Sequence, residues 1–358
     1  MDASDAKLLT RIQSGFPIEA RPFRQLGDEL DMPEQEVLER IRRLKSSGLI
    51  RRIGATFHPE PLGYVSTLVG AQVPPERLEA LAAFIGAFAE VTHLYEREGE
   101  WNLWFTLTAA SAERLDTAFE AIRAEAPACR LIRVPARKRY KLRVEFDLGP
   151  RTPGSLADRC YSATRATQRF MLRSTTQNGN AASQSSKRCV ARVKLDELDK
   201  RLIARLCGDL PIEARPFQAL AEALGSTEDE VIRLTRRLER DGVLRRLGAI
   251  IEHRAAGLRA NAMLAWVVPD EGVDEVGAYA ASFDEVSHCY RRERARGWPY
   301  TLVAMVHAGS EARCREVGAA IVERFGLKEW VILPSRREFK KTSVQYFGPP
   351  HQGETDNE

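Results

Sequence analysis

The chain has 358 residues, 44% of them apolar, which allows two or three domains with ordinary cores. No apolar run reaches the roughly 18 residues of a transmembrane helix. The opening MDASDAKLLT has no basic-then-apolar signal order. The net charge of +4 does not mark a nucleic-acid binder: residues 151–195 hold nine Lys/Arg against Asp158, and the remainder is 45 basic against 49 acidic residues.

The six cysteines, at 129, 160, 189, 207, 289 and 314, contain no Cys-x-x-Cys. That excludes a common zinc spacing and a disulfide framework, so the expectation is a cytoplasmic protein with no membrane partner and no metal-ligand set.

The first elements are helical. Leu8, Leu9 and Ile12 share a helical face, Phe23–Leu30 is a second short helix, and Glu34–Ser46 is a third, with Val37, Leu38, Ile41 and Leu44 aligned. Gly48 stops it. LIRRIGATF, Leu49–Phe57, then alternates like a strand of a small hairpin. Three helices and a hairpin make a winged helix-turn-helix. Next come strand Ser66–Val73, helix Pro75–Gly86, strands Ala89–Glu96 and Asn102–Thr108, helix Ala112–Ala124 and strand Cys129–Val134. That βαββαβ order is the ferredoxin-like plan, and YKLRVEFDLG, Tyr140–Gly149, is placed as an added edge strand.

The whole arrangement is then written again. PIEARPFRQLGDEL at Pro17–Leu30 matches PIEARPFQALAEAL at Pro211–Leu224, and GLIRRIGATF at Gly48–Phe57 matches GVLRRLGAII at Gly242–Ile251, both at an offset of 194. The offset grows to 195 at His93 and His288, and to 199 at PARKRYK (Pro135–Lys141) against PSRREFK (Pro334–Lys340). The fold class is therefore α+β, with two tandem copies of a winged helix-turn-helix plus a ferredoxin-like domain. The domains run 1–60 and 61–149, then 196–256 and 257–348, with a tail at 349–358. Between the copies, 150–195 is rich in Ser, Thr, Gln and Asn and reads as a flexible basic linker.

One motif recurs with chemistry in it. EVTHLYERE carries His93, Tyr95 and Arg97, and EVSHCYRRE carries His288, Tyr290 and Arg292. Alternate residues of a strand share a face, so each triad projects one way.

The stretch LERIRRLKSSGLIRRIGA, Leu38–Ala55, and its copy resemble the Lrp/AsnC transcription regulators. His-x-Tyr-x-Arg followed by WNLWFTL is more specific: it resembles the siroheme decarboxylases, an Lrp-like branch that acts on tetrapyrroles, and the duplication resembles the fused forms of haem d1 biosynthesis. The resemblance covers nearly everything outside the linker. It implies removal of two acetate carboxyl groups of siroheme as CO2, giving didecarboxysiroheme. It also implies no cofactor beyond the iron-containing substrate, and an intramolecular pseudo-dimer of the two halves; a further homo-oligomer stays open. The alternative is an Lrp/AsnC-type DNA-binding regulator, with or without haem sensing.

Residue chemistry favours the enzyme. The helices that would enter DNA begin Pro33-Glu34-Gln35-Glu36 and Thr227-Glu228-Asp229-Glu230, where phosphate would be repelled, so no specific DNA is expected. A face of imidazole, phenol and guanidinium suits a flat polyanion. Arg97 and Arg292 pair with carboxylates, His93 and His288 act as general acids, and Tyr95 and Tyr290 donate or stack. Trp101 and Asn102 are candidate pocket residues, and Arg137 and Arg336 candidate clamps on further carboxylates. In copy two, GWPYTLVAM places Pro299 and Tyr300 where copy one has Asn102 and Leu103, with extra arginines at 294 and 296. The closer motif match favours copy one as the active half.

Overall fold

The computed structural model describes residues 1–142, 193–252 and 260–348. All but the last three residues of the linker expected at 150–195 lie outside these residues, as does the tail at 349–358.

Each copy opens with three helices: α1 (Ala3–Ser14), α2 (Pro22–Leu30) and α3 (Glu34–Ser46), then α6 (Glu197–Leu206), α7 (Pro216–Leu224) and α8 (Glu228–Arg240). Local sequence explains their limits. Asp2 with Asp5, and Asp196 with Asp199, form capping boxes. Pro22 and Pro216 occupy a first helical position, where the missing N–H costs nothing. Gly48 and Gly242 take positive φ just past α3 and α8. The acids that begin α3 and α8 are bound locally: Glu34 pairs with Arg21, and Glu228 with Arg215.

The expected hairpin wing is corrected. Strand β1 (Ile50–Phe57) pairs with β7 (Leu244–Ile251) of the other copy, antiparallel, with Gly54 opposite Gly248. Alternation identifies a strand but not its partner, and here the partner is the strand's own repeat. A Cβ on Gly54 would overlap the carbonyl of Gly208, and one on Gly248 the carbonyl of Ile12, so both glycines let the first-helix ends of the opposite copies approach. Phe16 N–H donates to Leu247 O at 2.7 Å, and Leu210 N–H to Ile53 O at 2.7 Å. All six helices and the ribbon then share one core. The chain's last described turn joins it, with Tyr346 against Tyr64 (ring centroids 4.8 Å apart) and Phe57.

The two ferredoxin-like halves follow as predicted. The first contains β2 (Val65–Gln72), a 3₁₀ turn at Pro75–Arg77, α4 (Leu78–Ala87), β3 (Val91–Arg97), β4 (Leu103–Ala109), α5 (Ala112–Glu125), β5 (Arg130–Val134) and β6 (Ala136–Leu142). The second contains β8 (Ala260–Trp266), α9 (Val273–Ser282), β9 (Val286–Arg292), β10 (Leu302–Ala308), α10 (Glu311–Phe325) and β11 (Trp330–Lys341). They share one nine-stranded sheet, ordered β5-β2-β4-β3-β11-β8-β10-β9-β6.

The order shows an exchange. β11 pairs with β8 of its own copy through Trp330–Pro334, then with β3 of the other copy through Ser335–Lys341. β5 pairs with β2, and after Pro135 the chain continues as β6 beside β9 of the second copy. An edge strand is thus present, but as Ala136–Leu142, and it completes the other half's sheet; of the stretch expected there, Tyr140–Gly149, residues 143–149 lie outside the described residues. Helices α4 and α5 cover one outer face, and α9 and α10 the other. The inner faces meet over Trp101, Trp104, Trp298, Met263, Val303 and Leu333, drawn from both copies.

Candidate functional site

Strand parity sets the site. Leu94, between His93 and Tyr95, is fully buried in the helix-side core. Its counterpart Cys289 is equally buried, with Sγ 3.8 Å from Gly277 O, so it is core and not a ligand. The histidine, tyrosine and arginine therefore turn to the inner side in both copies. There they stack. The rings of His93 and Tyr95 are 6.4 Å apart and inclined by 26°; those of His288 and Tyr290 are 6.5 Å apart and inclined by 24°. Arg97 Cζ lies 5.2 Å from the Tyr95 ring centre, and Arg292 Cζ lies 5.0 Å from that of Tyr290, at cation–π range.

The arginines are anchored by the strand exchange. Arg97 is 4% exposed; its Nη1 donates to Leu333 O at 3.2 Å, and its Nη2 approaches Met305 Sδ at 3.8 Å. Arg292 Nη1 donates to Val134 O at 2.7 Å. Both acceptors belong to the other copy, one residue before the crossover prolines Pro334 and Pro135. Neither guanidinium has a carboxylate within ion-pair distance among the described residues, and both Nε donors are buried without a partner. Burial draws each down to about 10, so both stay cationic at neutral pH. A buried cation without a counter-ion is costly and well suited to receive an anion.

Both imidazoles are half-buried and neutral. Burial, then Lys341 and Arg51, lower His93 to about 4. Burial, then His93, Arg245 and Arg292, lower His288 to about 3. The influence of His93 on His288 places the two stacks within electrostatic reach of each other. His288 Nδ1 lies 2.7 Å from Ser287 Oγ, which also donates to Met305 O at 3.3 Å. With that hydroxyl hydrogen committed, Ser287 Oγ accepts from Nδ1–H, leaving Nε2 as the lone-pair nitrogen. Thr92 Oγ1 sits 3.0 Å from His93 Nδ1 in the same way. Burial, and for Tyr95 also Glu338, raises both tyrosines, keeping the phenols as neutral donors.

The remaining sequence candidates stand apart from the stacks. Trp101 is buried between the two halves of the sheet and donates Nε1–H to Gly297 O at 3.1 Å. Asn102 clips the backbone of Val73, accepting from its N–H at 2.9 Å and donating to its carbonyl at 2.8 Å. Thr301 Oγ1 makes the same pair of bonds to Val268, at 3.1 and 2.9 Å, so Thr301 is the counterpart of Asn102. The alignment of Asn102 with Pro299 is thereby corrected: the β9–β10 hairpin is longer, and Trp298 folds into the inter-sheet core against Trp104, ring centroids 4.7 Å apart. Arg137 is exposed and pairs with Glu293 at 2.7 Å, while Arg336 pairs with Glu98. Both sit near the hairpins, at the opposite end of their strands from the histidines.

Other residues flank the stacks instead. Arg139 stands opposite Tyr290, and Glu338 opposite Tyr95. Leu142 stands opposite His288, and Lys341 opposite His93. From the ribbon, Arg245 donates to Leu142 O at 3.2 Å, and Arg51 to Lys341 O at 3.0 Å. His58 Nδ1 lies 3.4 Å from Arg139 Nη1. The repeat could have found Arg51 and Arg245 as an invariant pair; the exchanged strands that bring them to the triads left no signal. No group of three His, Cys, Asp or Glu that could hold a metal occurs among the described residues, nor does a helix long and apolar enough to cross a membrane.

Comparison with known proteins agrees with this architecture. The siroheme decarboxylase NirDL-like HTH domain matches residues 5–51 and 199–245, and the AsnC-like ligand binding domain matches 61–141 and 255–340. The siroheme decarboxylase of Hydrogenobacter thermophilus is 31% identical over 95% of this chain and 94% of its own. A siroheme decarboxylase beta subunit of Methanosarcina barkeri is 42% identical over 42% of this chain and 99% of its own, a length of one copy. A crystal structure of the siroheme decarboxylase NirDL in complex with an iron-uroporphyrin III analogue superposes with a TM-score of 0.69 at 28% identity, covering 96% of this chain and 95% of that one.

Proposed function

This chain belongs to the siroheme decarboxylase family, and on that premise we propose that it removes two acetate carboxyl groups of siroheme as CO2, giving didecarboxysiroheme for haem d1 biosynthesis. The observation that carries the reading is the pair of guanidiniums of Arg97, which is buried, and Arg292, which is half-buried, each stacked on a tyrosine, with a buried unpartnered Nε and without a carboxylate partner among the described residues. Such groups are donors waiting for an anion. No cofactor beyond the substrate's own iron is invoked.

The chemistry asks little else of the protein. In each decarboxylation the bond between the acetate methylene and its carboxylate breaks, CO2 departs, and the electron pair is delocalised into the conjugated macrocycle. One proton then goes to the methylene carbon, leaving a methyl group. A site of low polarity favours loss of charge as neutral CO2, and Arg97 and Arg292 orient the carboxylates. His93 and His288 are the proton donors. In the empty site they are neutral, so the substrate's own carboxylates must raise them into the protonated range. Tyr95 and Tyr290 support as neutral donors and stacking surfaces. Trp101, Asn102, Arg137 and Arg336 hold the surrounding scaffold. With Glu34 and Glu228 paired within their own domains, the helix-turn-helix units serve as packing platforms that need no specific DNA.

The test is anaerobic incubation with siroheme followed by mass spectrometry. Loss of two CO2 by the wild type, abolished in H93A/H288A with tetrapyrrole binding retained, is the expected result. Tight binding without any mass change, together with a sequence-specific electrophoretic shift, would replace the enzyme with a sensing regulator.

A further inference from the structure

The two triads match closely, and their surroundings do not. At offsets of 194 and 199, Arg51 corresponds to Arg245, His58 to Glu252, Arg139 to Glu338 and Leu142 to Lys341. Around the first triad the charges cancel internally. Glu252 lies 3.9 Å from Arg51 and 3.8 Å from Lys341, and Glu338 lies 3.9 Å from Lys341 while accepting from Tyr95 Oη at 3.2 Å. Two cations and two carboxylates thus form one continuous, internally balanced chain of ion pairs beside His93.

Around the second triad the cations are open. Arg139 and Arg245 have no carboxylate within ion-pair distance among the described residues. Arg139 is oriented by His58, and Arg245 by the Leu142 carbonyl opposite His288. Both arginines act electrostatically on His58 and Tyr290; Glu60, the one acid acting on the same two groups, forms no ion pair with either arginine. The second triad also faces Leu142, an apolar side chain, where the first faces the charged Lys341.

We propose that the polycarboxylate substrate is held on the second triad's face, with Arg139, Arg245 and His58 binding its peripheral carboxylates, and that decarboxylation is centred on His288. This rests on the decarboxylase reading for its chemistry and on the ion-pair geometry for its choice of face. On the first face, a carboxylate would have to displace Glu252 or Glu338 from an existing network. On the second it meets arginines that pair with no carboxylate among the described residues, which is the stronger kind of contact. The motif similarity that favoured copy one concerned the β3–β4 hairpin, whose Trp101 and Asn102 are committed to packing and to backbone.

The experiment uses the full chain and symmetric variant pairs. Iron uroporphyrin binding is titrated by its absorbance change for R139E, H58E and R245Q beside the second triad, and for their counterparts E338Q, E252Q and R51Q beside the first. Siroheme turnover is measured in H288A and H93A. Loss of a charge-assisted contact predicts binding weaker by about tenfold or more in R139E and R245Q. R51Q should change it by less than about threefold, although Arg51 and Arg245 make the same kind of backbone bond, so a general structural effect would strike both alike. H288A should lower turnover more than H93A does. Equal effects across the pairs, or greater loss in the variants beside the first triad, would overturn the assignment and leave the decarboxylase reading standing. No CO2 release by the wild type, with the predicted order of affinities intact, would overturn that reading and leave the binding face standing.

Discussion

The histidines make a prediction about acid stability. Both titrate below the ordinary 6.5, at about 4 for His93 and about 3 for His288, with burial the largest cause. Between those values and 6.5 the unfolded chain therefore binds protons that the folded chain refuses. The stabilisation is complete above 6.5 and is lost as pH falls toward the folded values. From pH 7 to pH 5 the linkage relation gives about 2 kcal/mol for each imidazole, a figure that depends on the unfolded value once the folded one lies well below 5. Both rings are half-buried, and solvent screening brings the expectation to about 1–2 kcal/mol each. Urea unfolding of the wild type and of H93Q/H288Q at both pH values isolates the effect from titrating carboxylates. The double variant should lose about 2–4 kcal/mol less stability on acidification than the wild type. An identical loss in the two proteins would refute the burial argument. Binding should run the other way: carboxylates brought against the imidazoles raise them, so iron uroporphyrin should bind more tightly as pH falls from 7 to 6, with proton uptake measurable in a weakly buffered solution.

Two further outcomes test the scaffold. R97A removes the donor to Leu333 O and the stack on Tyr95, and should cost about 1–3 kcal/mol in chemical denaturation along with weaker iron uroporphyrin binding; unchanged stability would mean that the crossover carbonyl finds another donor. N102A frees the N–H and carbonyl of Val73 and should cost about 1–3 kcal/mol by the same assay. N102T should recover much of that, because Thr301 performs this bridging at the matching place in copy two.

Local elements were readable because their causes are local. Capping aspartates, Pro22 and Pro216, Gly48 and Gly242 mark helix limits in the sequence itself, and alternation put His93, Tyr95 and Arg97 on one face. Partners were not readable. β1 and β7 carry the same alternation whether each folds back in a hairpin or the two meet across the pseudo-twofold, and only the fit of Gly54 and Gly248 to opposing helix ends selects the second. That Arg139 and not Arg137 stands opposite Tyr290 was hidden for a related reason. β6 has register shifts between Ala136 and Lys138, and again between Arg139 and Lys141, so counting by twos from the crossover proline does not track which side chain meets Tyr290. The extra residues before Thr301 similarly disguised a structural equivalence, because Asn and Thr satisfy the same backbone groups with different atoms.

The exchange of strands ties the two copies to one fate. Arg97 is seated by the carbonyl of Leu333 and Arg292 by that of Val134, so neither triad is assembled within its own copy. The residues that face the rings come from the opposite copy's final strand and from the shared ribbon. Each half is therefore incomplete alone, and the pressure to keep both halves folded falls on the groups that cross between them: the paired glycines, the crossover prolines and the buried arginines. Positions around the rings carry no such duty. There the copies have diverged, to Arg139 against Glu338, His58 against Glu252 and Leu142 against Lys341, without disturbing the exchange. An internally balanced ion-pair network on one face ties the copies together and offers a carboxylate no unpaired cation. An open cationic face does the reverse. Placing both in one chain separates holding the fold from holding the substrate, which two identical copies could not do.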